Sequence, residues 1–147
     1  MNRETNIRNM EIDDIAAVIS LGSGQKEFTF EHQSFWLKEQ LVSWCENKED
    51  ICLVAEQDGH IVGFSLYAMH VPTKKVTWEN IYVIPEARNS GIGTKLIEEG
   101  LKQIKIIGGV YVVACLNAVD KDGFATSLEK FGFKKGHNML WVDKEIS

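Results

Sequence analysis

Apolar residues change their spacing several times along this chain, and each change marks an element. Asn6 to Met10 reads as a short first strand. Asp13 and Asp14 then sit in the first turn of a helix running to about Leu21, with Ile12, Ile15, Val18 and Ile19 on one face. Gly22-Ser23-Gly24 breaks that helix, and Gln25 to Phe30 forms an aromatic loop. A second helix is expected over His32 to Glu46, with Phe35, Trp36, Leu37, Leu41 and Trp44 as its apolar set. Ile51 to Ala55 reads as a buried strand, Asp58-Gly59 as a hairpin turn, and Ile61 to His70 as the partner strand. Pro72-Thr73-Lys74-Lys75 turns the chain into Val76 to Ile84, a β-branched and aromatic strand that Pro85 ends. Helical spacing returns with Ile92, Leu96, Ile97, Leu101 and Ile104, and Gly108-Gly109 closes it. A strand over Val110 to Leu116, a helix over about Gly123 to Phe131 and a last strand over Phe133 to Val142 complete the order.

An antiparallel meander followed by a strand–helix–strand crossover gives a mixed sheet with helices on both faces. The expected fold class is therefore α/β (α+β), with a central sheet of six to seven strands and about four helices. At 147 residues, with 44% apolar residues and no linker, repeat or low-complexity stretch, the whole of 1–147 is expected to form one domain.

Charge narrows the partners. Sixteen Lys and Arg stand against 21 Asp and Glu, a formal charge of −5 with both signs interspersed. That argues against a nucleic-acid surface and mildly favours cationic partners. No run of eighteen apolar residues suggests a membrane span, and Met1 to Thr5 shows no apolar signal region, so a cytoplasmic location is expected. Cys45, Cys52 and Cys115 are odd in number and lack CxxC spacing, which reads as reduced thiols. The four histidines show no ligand spacing, so no metal is expected.

The candidate chemistry begins at Arg88-Asn89-Ser90-Gly91-Ile92-Gly93, placed between the strand ending at Pro85 and the helix that continues from Thr94. A helix start offers unpaired backbone N–H groups and the positive end of the macrodipole. Glycines let a ligand approach the backbone, and successive N–H groups form an anion-binding concavity. Arg88 adds a planar positive fork. Strand, Pro, Arg and helix in this order point to a pyrophosphate.

Ile81-Tyr82-Val83-Ile84-Pro85 followed by Arg88-Asn89-Ser90-Gly91-Ile92-Gly93 resembles the acyl-CoA signature of the GNAT acetyltransferases, R/Q-x-x-G-x-G/A after a hydrophobic strand. Glu129-Lys130-Phe131-Gly132-Phe133 resembles the family's C-terminal Y-E-K-x-G-F segment. The resemblance spans the chain and implies an acetyl-CoA-dependent N-acetyltransferase, in which a primary amine attacks the thioester directly. It implies a pyrophosphate grip by the backbone of residues 88 to 94, with Arg88, Ser90 and Thr94 assisting. It also implies that backbone groups of Ile81, Tyr82 and Val83 meet the pantetheine arm and the acetyl carbonyl.

Glu79 is the candidate base, as the only acid within the signature strand; strict alternation would set it on one face with Ile81 and Val83. Its bland alternative is a solvated glutamate or an edge glutamate in an ion pair. His70 is a weaker candidate, and its alternative is a surface hairpin residue. Two positions depart from the family. Leu128 stands where many members carry a Tyr that protonates the thiolate, and Ser127 beside it is turned about 100° away on a helix. The Asn that often contacts the pantetheine is displaced, so Asn117 is the candidate for that contact through a longer following loop. Cys115 reads as a small core residue.

Glu27 to His32, with Phe35 and Trp36, could form an acceptor wall for an organic cation or simply bury its Phe side chains. The acceptor itself, whether a small molecule or a protein amine, stays open. So does a donor other than acetyl-CoA, such as succinyl-CoA. A homodimer is compatible with the sequence and not required by it. Leu128 and the displaced Asn sustain an alternative from another class, a non-catalytic acyl-CoA-binding or sensor module of the same fold.

Overall fold

A computed structural model of the chain describes residues 3–29, 34–116, 123–137, 140, 142–144 and 146. They fall into two compact units, Met1–Ala114 and Cys115–Ser147. The first holds strands β1 (Asn6–Asn9), β2 (Ile51–Gln57), β3 (His60–His70), β4 (Lys75–Val83) and β5 (Tyr111–Ala114), with helices α1 (Ile15–Ser23), α2 (Lys38–Glu46) and α3 (Ile92–Ile106). The second holds α4 (Phe124–Ser127), continued by a 3₁₀ turn over Leu128–Phe131.

The sheet runs β1-β2-β3-β4-β5; the first three pairings are antiparallel and β4–β5 is parallel. Alternation along β2 and β3 feeds two cores. Cys52, Val54, Phe64 and Leu66 meet Ile15, Val18, Phe35, Leu41 and Trp44 on the α1–α2 face. α3 packs along β2, β3 and β4, burying Ile92, Leu96, Ile97, Gly100 and Ile104. Leu53, Val54, Phe64 and Leu66 are all 0% exposed, and each such side chain contributes about 1.5–3 kcal/mol relative to leaving it in water. Gly100, rather than the expected Leu101, occupies the tightest point of the α3 stripe, because a Cβ there would collide with the hydroxyl end of Tyr67.

Three expectations are corrected. Among the described residues the sheet has five strands, not six to seven. No described residue of the expected last strand, 133–142, is in a strand, and Leu140 and Val142 are 87% and 80% exposed, so burial of these two side chains does not hold an extended strand in place. β5 is also shorter than expected. α2 begins at Lys38 rather than His32; residues 32 and 33 lie outside the described residues, and Leu37 caps the helix in an extended conformation. Consecutive aromatics explain the later start. Phe35 fits against Gly22 of α1, whereas Trp36 reaches Asn80 of β4 and packs on Trp44 at 4.9 Å between ring centres.

Candidate active site

The turn between β4 and α3 is held by its own short-range bonds. After Pro85, Ala87 N–H donates to the Ile84 carbonyl and Arg88 N–H to that of Pro85. The Ser90 hydroxyl donates to the Ala87 carbonyl at 2.6 Å. Asn89 (φ 60°) and Gly91 (φ 80°) both adopt the left-handed conformation, which folds the chain over into the helix. The first helical bond there is Lys95 N–H to the Gly91 carbonyl at 3.0 Å. The N–H groups of Ile92, Gly93 and Thr94 therefore precede the intrahelical ladder, and no side chain caps them. Ile92 is 2% exposed and anchors this first turn in the core.

Gly93 is informative for a different reason. It lies inside α3, where glycine costs about 0.8–1.0 kcal/mol relative to alanine. Apart from its chain neighbours and the helix's own backbone, no described atom lies within 4 Å of the place its Cβ would occupy. Among the described residues, then, no packing contact requires a glycine at this position. The same space is open at Gly91. Arg88 folds back along the end of β4: its Nε donates to the Val83 carbonyl at 2.8 Å and its guanidinium lies 5.5 Å from the centre of the Tyr82 ring. Its terminal nitrogens have no acceptor among the described residues.

β4 changes character halfway along. Lys75 to Trp78 pair with β3 on one side and with Tyr111 to Ala114 on the other. From Asn80 to Val83 the strand is paired, among the described residues, with β3 alone. Ile84 N–H donates to the Val62 carbonyl, so by antiparallel alternation the backbone groups of Tyr82 and Asn80 face β3. Those of Ile81 and Val83 face the open edge. The Tyr82 side chain meets Phe28 and Phe64 at 6.4 and 6.2 Å between ring centres.

The register also shifts here. Leu66 pairs with Asn80 and Tyr67 with Trp78, which leaves Glu79 as the extra residue of a β-bulge. The simple alternation expected for Glu79, Ile81 and Val83 is thus interrupted. Glu79 is half-buried, with no hydrogen bond or ion pair among the described residues, and desolvation alone raises its carboxyl above the usual range. The ion-paired edge glutamate is not what the structure presents. Asn80 is a residue that sequence reasoning missed. Its carbonyl accepts from Ser65 Oγ at 3.2 Å and from Trp78 Nε1 at 3.2 Å, and its Oδ1 accepts from Trp36 Nε1 at 2.6 Å.

His70 Nδ1 shares a 2.8 Å hydrogen bond with the Thr73 hydroxyl within its exposed hairpin. Phe28 and Phe35 belong to the buried aromatic cluster, whereas residues 30–33 lie outside the described residues. In the second unit, Leu128 is 2% exposed and the Ser127 hydroxyl donates to the Phe124 carbonyl. Cys115 is exposed, contrary to the core position expected, because the strand it should extend ends at Ala114. Asn117 lies outside the described residues. Among the described residues, no three His, Cys, Asp or Glu side chains converge as metal ligands, and no helix is long and apolar enough to cross a membrane.

The acetyltransferase (GNAT) family model matches residues 15–141. The chain belongs to the GNAT acetyltransferase family. A relative from Bacillus subtilis strain 168, described as the uncharacterised N-acetyltransferase YhfO, is 33% identical over 101 residues. That match takes in 63% of this chain and 65% of YhfO, just under two thirds of its length. Among solved structures, the aminoglycoside N-acetyltransferase AAC(6')-Iy in complex with CoA superposes with a TM-score of 0.77 at 15% identity, over 99% of this chain and 98% of that one. A transcriptional regulator from Bacillus halodurans C-125 superposes with a TM-score of 0.76 at 16% identity, over 96% and 100%. At such identities the two structures share the GNAT fold with this chain and nothing narrower.

Proposed function

We propose that this chain is an acetyl-CoA-dependent N-acetyltransferase that moves an acetyl group to a primary amine, on a small molecule or a protein, by direct attack on the thioester. The observation that carries the reading is Gly93, a helical glycine with open space where its Cβ would be, at the uncapped start of α3. Acetyl-CoA would supply the acetyl group in activated form. The N–H groups at the start of α3, the Asn89–Gly91 turn and Arg88, assisted by Ser90 and Thr94, would hold its pyrophosphate. Backbone groups of Ile81 and Val83, on the open edge of β4, would pair with the pantetheine arm and offer a donor to the acetyl carbonyl. Tyr82 contributes through its ring beneath Arg88, and a pantetheine contact from Asn117 belongs to the same proposal.

Glu79 would take the proton that an ammonium must lose before it can attack. A carboxyl raised by desolvation is better matched to that task than an ordinary one. Leu128 has no proton to give, and with a thiol pKa of about 8.5 solvent suffices for the departing thiolate. We further propose that residues 1–147 work as one catalytic domain in the cytoplasm.

The test is turnover of acetyl-CoA against a panel of amines, followed by release of free thiol. Amine-dependent release is the expected result. Saturable acetyl-CoA binding without turnover of any amine in the panel would instead establish the non-catalytic binding module.

A further inference from the structure

We propose that Ser65, Trp78 and Trp36 are positioning residues that clamp Asn80 from both faces of the sheet and so hold the adjacent Glu79 for proton abstraction. The inference rests on the acetyltransferase reading above and extends it to residues outside the signature.

A bulge frees one residue from its ladder, and a freed residue needs another source of order. Here the order comes from the next residue along. Trp78 is 5% exposed and stacks on Tyr67 with ring planes 14° apart. Its Nε1 donates both to Ser65 Oγ at 3.0 Å and to the Asn80 carbonyl at 3.2 Å. The hydroxyl of Ser65, itself 0% exposed, donates a hydrogen bond to the same carbonyl at 3.2 Å. The residue before Glu79 is therefore tied to the residue after it, with Ser65 closing the triangle. A buried hydroxyl and a buried indole N–H are both satisfied by this arrangement, and breaking it would strand one of them.

The second fastening comes from the other face. Trp36 lies in the segment leading into α2, and its Nε1 donates to Asn80 Oδ1 at 2.6 Å. The pairing of Asn80 with Leu66, on the α1–α2 face of β3, agrees with that approach. Asn80 thus has its main chain held from the α3 side and its side chain from the α2 side. The Glu79 carboxylate has no bond of its own among the described residues, so its position follows from this clamp. Desolvation is the sole cause of its perturbation, and no charged neighbour contributes to it. Loosening the clamp would let water reach the carboxylate.

Two variants remove one fastening each: Ser65→Ala the buried hydroxyl, and Trp36→Phe the indole N–H at a half-buried site. The readouts are carbon-13 NMR titration of the Glu79 side-chain carboxyl, assigned with Glu79→Gln, and kcat and KM for amine and acetyl-CoA in folded protein. In both variants Glu79 should titrate lower, towards the ordinary carboxylate range. Amine kcat/KM should fall about tenfold, a part of the hundredfold or more that a positioned base supplies, with KM for acetyl-CoA unchanged. An unmoved Glu79 titration in both folded variants overturns the clamp, even if Glu79→Gln is crippled. A titration that moves without any loss of kcat/KM overturns the base role of Glu79, and the positioning proposal with it. Should Ser65→Ala fail to fold, Trp36→Phe decides by the same criteria.

Discussion

The turn at residues 88–94 and the bulge at 78–80 flank the same open stretch of β4, yet they are built in opposite ways. The turn is made of neighbours. Its bonds span three or four residues, its two left-handed residues are Asn89 and Gly91, and what it offers outward is backbone N–H. The bulge is made of distant partners: Ser65 and Trp36 lie 15 and 44 residues from Asn80. What it holds is one half-buried carboxyl without a partner among the described residues. A site built from local backbone geometry tolerates many side chains but few changes at its glycines. A site built from tertiary contacts depends on side chains that never touch the ligand.

Gly91→Asp should break the turn most severely. It adds negative charge where a pyrophosphate would sit, and the left-handed backbone adds about 1 kcal/mol of strain. Acetyl-CoA affinity should fall about a hundredfold or more, roughly 2.8 kcal/mol, with circular dichroism unchanged because the new Cβ meets no protein atom. Unchanged affinity by calorimetry in the folded variant would place the binding site elsewhere.

Glu79→Gln probes the other region. Turnover should drop by about a hundredfold at low pH and by much less at high pH, where free amine is abundant, with acetyl-CoA affinity preserved. A pH–rate profile that overlays the wild type removes Glu79 from the reaction. The same carboxyl should cost stability near neutrality. Its folded-state pKa is raised, so the folded chain holds the proton more tightly than the unfolded chain. Stability is then greatest below the ordinary Glu pKa and declines as pH rises through the raised one. Thermal melts should show that decline in the wild type and a smaller one in Glu79→Gln.

Gly93→Ala sharpens the comparison with the smallest change. A helical alanine should stabilise the fold by about 0.5–1 kcal/mol, since no protein atom opposes the methyl group. Acetyl-CoA affinity should nevertheless fall by about tenfold, because the methyl group occupies the ligand's approach. A higher melting temperature with undiminished affinity would show that this glycine serves no ligand.

The sequence by itself determined the local features of this protein. Asp58-Gly59 set the hairpin, the apolar stripe from Ile92 to Ile104 set α3, and Pro85 to Gly93 set an uncapped, glycine-lined helix start. Each depends on contacts a few residues apart, which spacing and residue type encode directly. The family followed from the same residues. Tertiary structure alone decided the rest. Period-two alternation places Glu79 on a face, but the register between β3 and β4 turned it into the extra residue of a bulge. Phe35 and Trp36 fit a helical stripe, yet their separate partners on α1 and β4 kept them out of α2. The apolar segment after Phe133 reads as a strand, but Leu140 and Val142 are exposed and no described part of it joins the sheet. Burial and pairing depend on what the rest of the chain brings alongside, and a linear pattern carries no term for the partner.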